Sequence, residues 1–103
     1  MITMHPGEYL SAVYFDELGM TQTKLADHLK VSKSAVSRLL SGEADVSPEM
    51  AVRLSYVLDR SAESWMEMQS QYSIELAKEQ LDRTTFVAIS LPTSIQVGEE
   101  ETA

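Results

Sequence analysis

The sequence predicts an all-α domain of five helices, followed by a short C-terminal segment that is extended or forms a strand. Three observations carry this. Apolar residues recur at three- and four-residue intervals through most of residues 6–81. A helix-opening residue precedes each run: Pro6, Thr21, Ser32, Ser47 and Ser61. From Thr84 the pattern changes to TTFVAISL, which is β-branched and apolar. The expected division is a helical domain over 1–83 and an extension over 84–103, partly disordered.

His5-Pro6-Gly7-Glu8 opens the first helix. Pro6 suits a first helical position, where its missing N–H is no loss, and Glu8 favours the helix dipole. Tyr9, Leu10, Val13 and Leu18 are expected to pack on the adjoining helical hairpin, and Gly19 ends the helix. His5 reads as a cap rather than a metal ligand, because no Cys or close His/Asp pair completes a site. The other histidine, His28, reads as surface.

Thr21 to Gly42, TQTKLADHLKVSKSAVSRLLSG, reads as two short helices joined by a tight turn. Thr21 caps the first, whose apolar set is Leu25, Ala26 and Leu29. Ser32 caps the second, whose apolar set is Ala35, Val36, Leu39 and Leu40, and Gly42 closes it. Ala26 is small where a steeply crossing helix needs close backbone approach. Val31 is an apolar plug just past the turn. This is the pattern of a DNA-binding helix-turn-helix.

The segment resembles the Xre/Cro-type (lambda repressor-like) helix-turn-helix, TQ-x-x-LA-x-x-(GVS)-x-x-x-VS-x-x-x-x-G. The chain supplies Thr21-Gln22, Leu25-Ala26, Val31-Ser32, Val36-Ser37 and Gly42. It departs at the turn, where the family has Gly and this chain has Lys30. A left-handed backbone there costs a non-Gly residue roughly 1 kcal/mol. Two further stretches, HPGEYL followed by ELGMTQ, and SPEMAVRLSYVLDRSAESWMEMQSQYSIELA, are similar to HigA-type antitoxins, a branch of the same group. The three motifs stand in the family's order and span roughly residues 5–77.

In that family the second helix of the pair enters the major groove. Position by position, the resemblance puts Gln22, Ser32, Lys33, Ser34, Ser37 and Arg38 at the DNA. The chemistry fits. Gln22 can donate to a phosphate beside free backbone N–H groups. Lys33 and Ser34 lie where base edges come within reach, and Arg38 suits a bidentate contact to guanine or phosphate. The plainer role for Arg38 is a surface ion pair.

Ser47-Pro48-Glu49 opens the fourth helix, with Met50, Ala51, Leu54, Val57 and Leu58 on its apolar face. Ser61 opens the fifth, a long one that carries Trp65, Met66, Met68, Gln69, Tyr72 and Leu76. Either these all pack inward, or some form a two-fold interface, where aromatics and Met are favoured. The resemblance implies a homodimer, which places Trp65, Met68, Tyr72 and Leu76 in the interface. TTFVAISL is either a strand paired with a dimer mate or partner, or an irregular segment laid on the body. Pro92 ends it, and the tail 98–103 is expected to be disordered.

Composition narrows the function further. The chain has 103 residues, no Cys and a net charge of −8. That excludes a disulfide framework, a thiolate metal site and a Cys nucleophile. No apolar run approaches the ~18 residues of a membrane span, and no signal-peptide pattern opens the chain, so the default setting is the cytoplasm. Most of the acid excess falls after residue 60. The hairpin's Lys24, Lys30, Lys33 and Arg38 face only Asp27. A locally basic patch on an acidic body still binds DNA, with modest non-specific affinity. The acidic remainder suits a basic protein partner or simply solubility. No catalytic triad, phosphate loop or metal cluster is visible, so no enzyme, cofactor or metal site is expected. As a HigA-type antitoxin the chain is expected to bind operator DNA as a dimer, repress its operon and neutralise a small basic HigB-type ribonuclease toxin. The alternative is a stand-alone Xre-family regulator without a toxin partner.

Overall fold

A computed structural model describes residues 4–90. Five helices form among these residues, in the order the sequence predicts. The first, α1, starts as an α-helix over Pro6–Leu10, widens to a π-helical turn over Ser11–Phe15 and resumes over Asp16–Leu18. Then come α2 (Gln22–Leu29), α3 (Lys33–Ser41), α4 (Pro48–Val57) and α5 (Ala62–Gln80).

Each start is fixed locally. Thr21, Ser32, Ser47 and Ser61 each accept, through the side-chain oxygen, a backbone N–H three residues on. His5 Nδ1 accepts from the Gly7 N–H at 2.9 Å and so caps α1 as expected. That leaves the ring proton on Nε2, which lies 3.4 Å from Asp45 Oδ1 without hydrogen-bond geometry. Gly19 and Gly42 end α1 and α3 in the left-handed region that glycine adopts freely.

The core gathers one face from every helix: Leu10 and Tyr14, then Leu25, Ala26 and Leu29, then Val36 and Leu39, then Ala51 and Leu54, and finally Trp65. Val46, in the loop after α3, joins them. Its N–H donates to the buried Gln69 Oε1 at 2.7 Å, and Gln69 Nε2 donates to Ser73 Oγ. A buried glutamine is thus satisfied at both ends, as a buried polar group must be. Helix α1 lies directly on α3: a Cβ on Gly7 would fall 1.9 Å from the carbonyl oxygen of Leu39. No larger residue fits there without moving the second helix of the hairpin.

Two expectations are corrected. Val13 and Leu18 do not pack on the hairpin; they are 36% and 67% exposed, and Tyr14 turns inward from this stretch of α1. Trp65, expected in a dimer interface, is 0% exposed within its own chain. It meets Tyr9 edge-on and Tyr14 at a tilt, with the Arg60 guanidinium over the Tyr9 ring at 4.8 Å. A side chain so enclosed makes no contact with another protomer. Of the two forms left open for the segment from Thr84, residues 84–90 take the one without a strand. A 3₁₀ turn, Arg83–Thr85, follows α5, and 86–90 have no regular structure. The expected end at Pro92 and the tail lie outside the described residues.

Candidate nucleic-acid interface

The hairpin places its two faces oppositely. Leu25, Ala26, Leu29, Val36 and Leu39 point into the core, with Val31 packed against its edge. Ser32, Lys33, Ser34, Ser37 and Arg38 are all exposed. Positions 33, 34, 37 and 38 follow the helical repeat, so they share one outward face of α3. Gln22 sits half-buried at the first position of α2.

The turn between the helices has the left-handed backbone foreseen. Lys30 has φ 61° and ψ 43°, the one non-glycine positive φ among the described residues. Its N–H donates to the Asp27 carbonyl, and the Val31 N–H to the Ala26 carbonyl. These bonds close the end of α2 in the manner of a left-handed cap. Arg53, on α4, adds a clamp from outside. Its Nη1 donates to the Leu29 carbonyl at 2.7 Å and to the Lys30 carbonyl at 3.3 Å. Glu49 holds the same guanidinium through Nε and Nη2.

The electrostatics single out this pair of helices. Helices α1, α4 and α5 each have a glutamate in the first turn: Glu8, Glu49 and Glu63. Helices α2 and α3 have none. Their positive N-terminal ends are therefore left for an external anion, where an acidic residue elsewhere supplies one. Lys24, Lys30, Lys33 and Arg38 add full charges to the same segment. Arg38 makes no ion pair among the described residues; Nη1 donates to Ser34 Oγ at 2.7 Å, one turn back. The plainer surface-pair role is thus not the one it occupies. Ser34 orients the guanidinium along the outer face of α3.

The sequence identifies the outward residues but not what holds them. Arg53, Gly7 and Gln69 fix the turn, the back of α3 and the loop after it. Only the Glu49–Arg53 spacing of four is legible in the sequence; its target, the Leu29 carbonyl, is not. The lack of first-turn carboxylates in α2 and α3 is a signal that the sequence does carry. Among the described residues no cluster of three metal-ligating side chains occurs, and no helix is long and apolar enough to cross a membrane.

A family model described as helix-turn-helix matches residues 14–65, slightly more than half the chain. The chain belongs to the Xre-type helix-turn-helix family. This helix-turn-helix protein is 34% identical over 77 residues to the uncharacterised HTH-type transcriptional regulator YddM of Escherichia coli K12, covering 75% of this chain and 81% of that one. Among solved structures it is similar to the antitoxin GraA, with a TM-score of 0.81, 33% identity, and coverage of 88% of this chain and 99% of that one. It is similar also to the Pseudomonas aeruginosa antitoxin HigA determined with the higBA promoter, with a TM-score of 0.79, 32% identity, and coverage of 86% and 97%. Its structural neighbours are thus HigA-type antitoxins, and its family is one of DNA-binding regulators rather than enzymes.

Proposed function

We propose that the protein is a dimeric transcriptional repressor that binds double-stranded operator DNA through α3, and that it serves as the antitoxin of a HigBA-like pair. The observation that carries the DNA reading is the outward face of α3, cationic and free of acidic residues, beside two helix N-termini without carboxylates. Lys33, Ser34, Ser37 and Arg38 face the base edges, while Gln22, Ser32 and the helix ends hold phosphates. One hairpin reads few base pairs. Two, set about one DNA turn (~34 Å) apart by a dimer, read a palindrome. Met68, Tyr72 and Leu76 on α5 remain the interface residues under this reading, with Trp65 behind them as its support.

Neutralisation of a small basic HigB-like toxin rests on likeness to GraA and HigA, with the acidic body supplying charge complementarity. The stand-alone regulator reading is supported by the relative YddM, named only as a transcriptional regulator. The setting for either is the cytoplasm.

The test has two arms. The protein is titrated onto DNA from upstream of its own gene at about 50 and about 200 mM salt. Specific binding that weakens with salt is expected; no binding at either salt overturns the repressor reading. Co-expression with the adjacent gene then decides the toxin role. A stable complex that abolishes ribonuclease activity is expected, whereas operator binding without such a complex favours the stand-alone regulator.

A further inference from the structure

Helix α5 has two apolar faces. Trp65, Gln69, Tyr72 and Leu76 recur at spacings of four, three and four; on this face Trp65 and Gln69 are buried, Tyr72 is half-buried and Leu76 is exposed. Ile74, Ala77, Lys78 and Leu81 recur at three, one and three. At 3.6 residues per turn they lie about half a turn away. After Gln69 no described residue is buried, so the second face stands clear of the body.

That face and the segment beyond it form an apolar groove of about 480 Å³, lined by Ile74, Ala77, Lys78, Leu81, Arg83 and Phe86. The turn after α5 fixes how the chain leaves it. Asp82 Oδ1 accepts from the N–H and hydroxyl of Thr84, and the Phe86 N–H donates to the Arg83 carbonyl. Phe86 is thereby folded back to line the groove. Val87 and Ile89, just beyond it, are 91% and 82% exposed and cover nothing. An open apolar groove and an open apolar arm occur side by side in one chain. Contiguous exposure of this kind marks an interaction site.

We propose that residues 87–90 of one copy fill the groove of a second copy, in a reciprocal exchange about a two-fold axis. One symmetry operation covers both grooves and both arms, since an isologous contact uses the same surface twice. The groove's two charged lining residues, Lys78 and Arg83, are cationic, which disfavours a basic toxin as occupant. The arm, residues 87–90, carries no charge and meets no repulsion there. The proposal rests on the homodimer reading above, and names an arm as part of that dimer.

The native chain has no cysteine, which permits a direct test. Ile74→Cys and Ile89→Cys are made on separate chains with tags of different size, mixed, and oxidised. Disulfide-linked heterodimer at least tenfold above the homodimers of either variant alone is expected, and its loss on adding Val87→Asp. If only the double variant cross-links, within a single chain, the arm folds back on its own groove and the proposal falls. A wild-type dimer by light scattering that gives no cross-link overturns the exchange but leaves the homodimer standing. A wild-type monomer at micromolar concentration overturns both. Protection of the groove by a co-expressed toxin alone also overturns the exchange. Because the substituted side chains are exposed, unfolding curves matching wild type confirm that each variant is folded.

Discussion

Arg53 Nη1 lies 2.7 Å from the carbonyl oxygen of Leu29, 24 residues earlier in the chain, and donates to it. This bond stops the end of α2 with a cation where the helix dipole is negative, and it ties the hairpin turn to α4. Glu49 fixes the same guanidinium from its own helix at 3.0 Å. Taken alone, the Glu49–Arg53 pair is a surface pair of small worth. Its function is to orient the clamp.

Arg53→Ala is therefore expected to destabilise by about 1–2 kcal/mol, within the range for a hydrogen bond from a charged donor on a half-exposed side chain. Arg53→Lys should recover less than half, since an ammonium cannot serve both carbonyls and Glu49 in one plane. Urea unfolding checks both. Glu49→Gln, which keeps the helix and weakens only the orienting contact, should cost under about 1 kcal/mol. A Glu49 variant as damaging as Arg53→Ala would show that the surface pair, not the clamp, matters.

Lys30→Gly should stabilise the chain by roughly 0.5–1 kcal/mol. Lys30 has a left-handed backbone that glycine adopts without steric cost, and glycine's larger unfolded-state entropy offsets part of the gain. The Arg53 bond to the Lys30 carbonyl involves only the backbone of residue 30 and survives the change. Chemical denaturation measures the gain. An equal or lower midpoint would mean that the lysine stem contributes packing that outweighs the strain.

How much of this is legible in the sequence depends on range. The caps at Thr21, Ser32, Ser47 and Ser61 act over three residues, and the left-handed turn at Lys30 is a property of one residue's backbone. Both were legible. The buried hairpin face was legible too, because helical spacing fixes which residues share a side. The direction in which a long helix turns its apolar residues was not. Trp65 looked available to a partner because α5 has more apolar surface than one face needs. Which stripe faces inward depends on how α5 lies against α4 and α1, and no spacing within α5 encodes that. For the same reason Gly7 read as part of a helix start, and its contact with the Leu39 carbonyl emerged only from the packing.

Gly7→Ala makes that contact measurable. A Cβ would be placed 1.9 Å from backbone oxygen, and nearby atoms of Leu39 and Leu40 leave no flexible side chain to yield. The helices must separate, so a loss of about 3 kcal/mol or more is expected, at the upper end for overpacking. Alanine's better helix propensity, worth ~1 kcal/mol, acts in the opposite direction and will not rescue it. Thermal unfolding reports the loss. DNA affinity of the folded fraction should fall as well, because the displaced element is α3.

Tyr14 gives a pH dependence of defined sign. Its hydroxyl donates to Asp59 Oδ1 at 2.5 Å. Burial, and next the hydrogen bond and charge of Asp59, push the phenol well above its ordinary value of 10.0. A group with a raised folded pKa contributes stability that is full below the unfolded pKa and is lost as pH rises toward the folded one. The wild type should thus be unaffected by Tyr14 up to about pH 10 and decline above it. Tyr14→Phe should be less stable at neutral pH by about 1 kcal/mol and should decline less steeply above about pH 10. Parallel alkaline declines for the two proteins would remove Tyr14 from the effect.

Arg38 and Ser34 test the proposed interface from two sides. Arg38→Ala removes the guanidinium from the outer face of α3. If it reads a guanine, operator affinity should fall by about 1–3 kcal/mol, with specificity relaxed at one base position. If it holds a phosphate, affinity falls evenly across sequences and the salt slope drops by about 1. Ser34→Ala leaves the charge but frees it from the oxygen that orients it at 2.7 Å. A bidentate base contact needs that orientation, whereas a phosphate contact tolerates its loss. Ser34→Ala should therefore resemble Arg38→Ala in specificity only in the first case. Since both side chains are exposed and neither supports the core, stability should change by less than about 0.5 kcal/mol in either variant. Wild-type operator affinity in Arg38→Ala would take this residue out of the DNA contact altogether, and would leave Lys33 and the two carboxylate-free helix ends to carry it.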